Sequence, residues 1–124
     1  MTLTKSHRET VRERIKSDPA FRRGMLSEAV EVLIAGEIAV AKLILRDYIH
    51  ATIGFPKLAA GTKIHVKTLH QMLGPRGNPT ASNLFEIVGY LQLAEGVRFE
   101  VRPVPVKARR AGARSPGRRS RHAA

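Results

Sequence analysis

The chain contains no cysteine. That absence excludes a disulfide framework and a cysteine-ligated zinc site, and it fits a reducing compartment. Acidic residues are scarce: 10 Asp and Glu stand against 22 Lys and Arg, a formal charge of +12 with neutral histidines. A surplus of that size speaks about partners rather than fold, and favours a polyanion or an anionic membrane surface. Long apolar runs are missing too. The most apolar stretch, IAVAKLILRDYI, is broken by Lys42, Arg46 and Asp47 and is too short to span a bilayer. The opening residues, MTLTKSHRETVRERIKS, lack the apolar h-region of a secretory signal. A cytoplasmic protein outside the membrane is the expectation. No nucleophile is paired with a base, and the acids are read as scattered over exposed helix faces, so neither enzymatic activity nor a cofactor is expected. His65 and His70 lie five apart without Cys or carboxylate companions, which argues against a metal site.

What is present is a legible series of helix signals. Residues 1–18 form an N-terminal arm, read as a helix near 5–16 with Val11 and Ile15 as its main apolar anchors. Asp18 is placed to N-cap the next helix and Pro19 suits its first turn. Phe21, Met25, Ala29, Val32 and Leu33 then share a face at helical spacing, with Arg22, Glu28 and Glu31 away from it, and Gly36 supplies the left-handed end. A helix from about Glu37 to Thr52 turns Ile38, Ala41, Leu45, Tyr48 and Ile49 inward, with Lys42, Arg46 and His50 on the wet side and Gly54 at its end. A short helix follows from about Phe55 to Thr62. A tight turn leads through Ile64 to another short helix, closed by Gly74 and Pro75. Thr80 is a natural N-cap for a helix whose buried stripe is Leu84, Ile87, Val88 and Leu91. In GVRFEV the period changes to two, Val97, Phe99 and Val101 against Arg98, Glu100 and Arg102, which predicts a strand over 97–102. From Pro103 onward there are seven cations and no acid, so the first 102 residues carry +5 and the last 22 carry +7. Rich in Pro, Gly, Ala, Ser and Arg, residues 103–124 are expected to form a disordered basic tail.

Two short helices joined by a tight turn, the second exposed, form a helix-turn-helix arrangement over 55–74. A small residue is needed where the helices cross, and Ala59 is there. Leu58, Ile64, Leu69 and Met72 can lock the pair. Val66, Lys67, Thr68, His70 and Gln71 are left pointing mostly outward, on a helix of a size that fits the major groove. There Lys and Gln can read base edges, and Thr an edge or a thymine methyl. Arg76, in the loop after that helix, suits a phosphate contact, as do Lys57, His65 and Asn78.

The stretch FPKLAAGTKIHVKTLHQMLGPRGNPTASNLFEIVGYLQL resembles the lambda-repressor-like (Cro/CI, or XRE) helix-turn-helix domain, and more narrowly the HigA-like antidote proteins of toxin–antitoxin modules. The L-A-x-x-T-x-I run at Leu58–Ile64, the T-L-H-x-M-L helix and the G-N-P-T entry to N-L-F carry the narrower likeness. Upstream, SDPAFRRGMLSEAVEVL and LRDYIHATIGF look like the family's leader helices, and GVRFEV like its closing strand. The resemblance covers roughly residues 9–102 and leaves the tail aside. It implies an all-α lambda-repressor-like domain, here residues 19–102, with leader helices and one short C-terminal strand. It also implies a dimeric protein that binds double-stranded operator DNA, represses its own operon and neutralises a small RelE-like ribonuclease toxin. One departure is Lys63, at a turn position often held by Gly; either it takes a left-handed backbone or the turn differs.

Two alternatives stand beside this expectation. One is a stand-alone regulator of the same fold without a toxin. The other is a nonspecific nucleic-acid-binding protein acting through its tail, whose seven cations attract phosphate whatever the sequence.

Overall fold

The computed structural model describes residues 5–106, apart from the side chains of Lys5, Ser6 and Arg8. Most of the expected basic tail, residues 107–124, lies outside the described residues, as do residues 1–4. Six helices follow one another: α1 (Lys5–Ser17), α2 (Pro19–Ile34), α3 (Ile38–Ala51), α4 (Phe55–Thr62), α5 (Val66–Met72) and α6 (Ala81–Glu95). The protein is all-α among the described residues.

Side-chain capping explains where α2 and α6 begin. The Phe21 N–H donates to Asp18 Oδ1 at 3.1 Å, and Pro19 occupies the first turn, where no donor is required. That backbone hydrogen bond, helped by Arg14, holds the Asp18 carboxyl below its ordinary value against some desolvation. Thr80 caps α6 in the same way through the Asn83 N–H, at 3.1 Å. Gly36 follows α2 with φ +91°, a left-handed turn that a side chain would resist.

Helices α1, α2 and α3 pack on one another, α4 packs on α5 and α6, and α3 reaches across to α4. One core joins them. Ile15 of α1, Leu26 of α2, Leu45 and Ile49 of α3, Leu58 of α4, Leu69 of α5 and Ile87 and Leu91 of α6 are all fully buried within it. The arm is therefore helical and part of the body, held by Ile15.

Several inward or outward assignments change. Leu26, not Met25, is the fully buried anchor of α2, with Ala29 beside it. Ile38 is exposed at the start of α3 rather than turned in. Lys42 is buried rather than wet, at 8 % exposure. Arg22 turns toward the body, and Glu95 is not one more surface carboxylate, its side chain being 6 % exposed.

Residues 97–102 form no strand among the described residues. A strand needs a neighbouring ladder, and this segment is instead tied to Gln92 of α6: the Val97 N–H donates to the Gln92 carbonyl at 3.0 Å and the Phe99 N–H to Gln92 Oε1 at 2.8 Å. Phe99 itself packs on the core, while Val101 stays exposed.

Candidate nucleic-acid interface

The α4–α5 connection is three residues long, and its geometry is held locally. Thr62 Oγ1 donates to the Leu58 carbonyl at 2.8 Å and accepts from the Ile64 N–H at 3.3 Å. Between them Lys63 takes the left-handed conformation, φ +63° and ψ +26°, and its N–H closes onto the Ala59 carbonyl at 2.8 Å. Lys63 is the one non-glycine residue with positive φ among those described. The chain thus makes the turn with a lysine in a conformation that glycine adopts more easily.

His65 caps α5. Its Nδ1 accepts the Lys67 N–H at 3.2 Å, which places the hydrogen of the neutral ring on Nε2. His65 is exposed, so that Nε2–H is a donor available to an acceptor oxygen. Leu69 and Met72 turn inward as their spacing predicts, and Leu73, which the spacing did not single out, is fully buried as well. Lys67, Thr68, His70 and Gln71 are exposed. Val66 differs: it is half-buried against the core, so its side chain belongs more to packing than to the exposed row. Ala59 and Ile64 likewise pack against the core without being fully buried.

After α5 the chain folds back tightly. The Gly74 N–H bonds to the Gln71 carbonyl and the Gly77 N–H to the Gly74 carbonyl. Gly77 lies so close to the end of α5 that a Cβ there would run into the carbonyls of Gln71 and Met72. The loop is braced from a helix that the motif does not include. Lys42 Nζ of α3 donates to the Gly74 carbonyl at 2.9 Å and to the Gly77 carbonyl at 2.8 Å. Arg76, between those two anchors, is exposed. A shallow concavity is lined jointly by Thr68, His70 and Gln71 of α5 and by Arg76 and Asn78 of the loop. Part of each set of candidates, Thr68, His70 and Gln71 for base edges and Arg76 and Asn78 for phosphates, thus shares one surface. Lys57 on α4 and His65 and Lys67 at the head of α5 are exposed and do not line that concavity.

A basic surface continues from α5 toward α1. The His70 ring stacks on buried Phe55 at 4.3 Å between centroids, and His50 of α3 meets Phe55 edge-on at 4.9 Å and His70 at 6.4 Å. Partial burial keeps His50 below its ordinary pKa. The positive charges of Arg12, His70 and Arg46 add to that, and Asp47 opposes it. Arg12, Arg46, Asp47 and His50 line a cleft between α1 and α3. Arg46 and His50 were read as a solvated helix face, and nothing in their spacing showed that α1 would bring Arg12 beside them. His70 is accessible but anchored, with one ring face committed to Phe55, so it is a less mobile group than Lys67 or Gln71.

The surface offers cations and hydrogen-bond donors. Among the described residues no group of three or more His, Asp or Glu is placed to hold a metal ion, and no helix is long and apolar enough to cross a membrane. No protein-family model, curated protein or solved structure matches the chain.

Proposed function

We propose that the chain is a sequence-specific DNA-binding transcriptional regulator, with α4 and α5 as a helix-turn-helix of the lambda-repressor-like class and α5 as the helix that enters the major groove. One observation carries the reading. A short helix locked inward by Leu69 and Met72 presents Thr68, His70 and Gln71 on the same surface as Arg76 and Asn78, with Lys67 exposed on the same helix. In this reading Lys67, Thr68 and Gln71 meet base edges, and His70 does so with one face fixed. Lys57, His65, Arg76 and Asn78 meet phosphates. The likeness to HigA-like antidote proteins extends the proposal: a homodimeric cytoplasmic antitoxin that represses its own operon and neutralises a RelE-like toxin.

Footprinting on the DNA upstream of the chain's own gene tests the first part. Protection of two half-sites about 34 Å apart is the expected result for a two-fold dimer. Lys67→Ala and Gln71→Ala should each remove roughly 1–3 kcal/mol of discrimination, whereas Arg76→Ala should weaken cognate and random duplexes alike. Equal loss on both duplexes for Lys67→Ala would remove it from the reading set. Co-expression with the product of the adjacent gene, read by growth rescue and gel filtration, tests the toxin partner.

A further inference from the structure

The segment after α6 is chemically symmetric about its centre. Val97, Arg98, Phe99, Glu100 and Val101 have a valine at each end, opposite charges one step in and an aromatic ring in the middle. Its side chains alternate although it forms no strand. Val97 and Phe99 are turned toward the body, while Arg98 and Glu100 are exposed and pair with each other at 3.2 Å. That i, i+2 contact on one side is the spacing of extended backbone.

In extended backbone the N–H and C=O of successive residues point to opposite edges. The Phe99 N–H is turned to Gln92 of the same chain. The amides and carbonyls of Arg98 and Glu100 therefore lie along the other edge, where among the described residues they have no hydrogen-bond partner. An open edge of this kind accepts another strand.

We propose that residues 97–101 pair with the same residues of a second copy of this chain, as an antiparallel ribbon whose two-fold axis passes beside Phe99. This deepens the two-copy part of the functional proposal by giving it an interface and a register, and it requires no DNA for its test. In this register Arg98 of one copy faces Glu100 of the other and the two exchange both backbone hydrogen bonds. Phe99 faces Phe99 as the close, non-bonded pair, which is the arrangement that Phe99's commitment to Gln92 leaves open. Val97 faces Val101, which otherwise stands 68 % exposed. A self-complementary patch of this sort is what a two-fold contact requires, and it is why a second copy fits better than an unrelated strand. Val30 and Ile34 of α2 line a groove with Phe99, Val101 and Val104, giving the ribbon apolar surface beside it.

The test uses the full chain alone in sedimentation equilibrium. Wild type should be a dimer. Glu100→Arg places arginine against arginine twice and should weaken the dimer by about tenfold or more, since opposed like charges are unfavourable across a ladder. The double swap Arg98→Glu with Glu100→Arg restores the pair within each chain in any register and the complementarity across the ribbon when 98 faces 100, and should return the dimer to within about threefold of wild type. Since the chain has no cysteine, Phe99→Cys should cross-link to its own copy under mild oxidation, whereas Val101→Cys should not. Circular dichroism confirms folding of each variant. A monomeric wild type, an undisturbed Glu100→Arg dimer or a double swap as weak as the single variant each overturns the proposal. A chain that dimerises in this way but binds no duplex leaves it standing and overturns the DNA reading alone.

Discussion

Glu95, at the end of α6, is met by two guanidinium groups and a phenol, whereas Lys42, in α3, is met by two carbonyl oxygens and, among the described residues, by no acid. Arg22 Nε reaches Glu95 at 2.9 Å and Arg23 Nε at 3.4 Å, and the Tyr48 hydroxyl donates a hydrogen bond to the same carboxylate. Arg22 also donates to the carbonyls of Ile15 and Lys16, so one side chain ties the end of α1 to α2 and α6. The Glu95 charge is neutralised within the molecule at this end. At the other end the cation neutralises nothing. It satisfies backbone acceptors and thereby fixes the loop that carries Arg76. The contrast separates a group that holds helices together from one that shapes an exposed basic surface.

Removing Glu95 should have the largest effect. Burial pushes its carboxyl up, but the Tyr48 hydrogen bond and the Arg22 and Arg23 charges outweigh that and hold it below its ordinary 4.5. The unfolded chain then takes up the proton first as pH falls. The site's stabilisation is complete above about 4.5 and is lost as pH drops through the lower folded value. Glu95→Gln should cost about 2–3 kcal/mol at neutral pH, since it leaves the partly buried Arg22 guanidinium without its counter-charge, and should flatten this part of the acid dependence. Burial, with the Glu95 carboxylate alongside, raises the Tyr48 phenol well above its ordinary value, so no opposing change is expected from it near neutrality. Where the variant is folded, the DNA binding proposed for the chain should match that of the parent. Urea titrations from neutral to acid pH that superimpose on the parent's would refute the assignment.

Lys42→Met should produce the opposite profile. It keeps the aliphatic stem but leaves the Gly74 and Gly77 carbonyls without their donor, at a cost of about 1–3 kcal/mol. Its main consequence should be a displaced Arg76, seen as weaker binding to cognate and random duplexes alike with a shallower salt dependence. Gly77→Ala should reproduce that binding defect by pushing the same loop off the end of α5. Binding measured across a salt series decides it: a Lys42→Met protein with the parent's slope would reduce Lys42 to a stability group.

The two regions also differ in how far the sequence exposes them. Asp18, Gly36 and Thr80 announce their roles because a cap depends on residues a turn apart. Leu58, Leu69 and Met72 are legible for the same reason: their neighbours in space are their neighbours at helical spacing. Glu95 and Arg22 are 73 positions apart, and no local pattern links them. Lys42 misleads more directly, because a lysine four residues before an arginine reads as a wet stripe until the loop 32 positions onward folds over it. The 97–102 alternation is a true period of two, but periodicity reports which side chains share a face and says nothing about whether a ladder partner exists. Lys63 left two possibilities open, and its left-handed backbone selects the first.

Lys63 supplies the smallest effect and the cleanest separation of stability from charge. Left-handed backbone costs an ordinary residue about 1–2 kcal/mol. Lys63→Gly removes that strain but adds flexibility to the unfolded chain, which takes back about 0.4–1 kcal/mol. A net gain of roughly 0.5–1 kcal/mol should remain. Lys63→Ala removes the same charge and keeps the strain, so it should gain nothing. If exposed Lys63 also attracts the DNA backbone, both variants should lose equal affinity on every sequence, with a salt slope lower by up to about 0.9, while base preference stays with Lys67 and Gln71. Thermal melts and salt titrations of the pair resolve the two contributions. A stabilised alanine variant would mean that the turn is not strained, and a change in base preference would place Lys63 among the reading residues instead of at the hinge between α4 and α5.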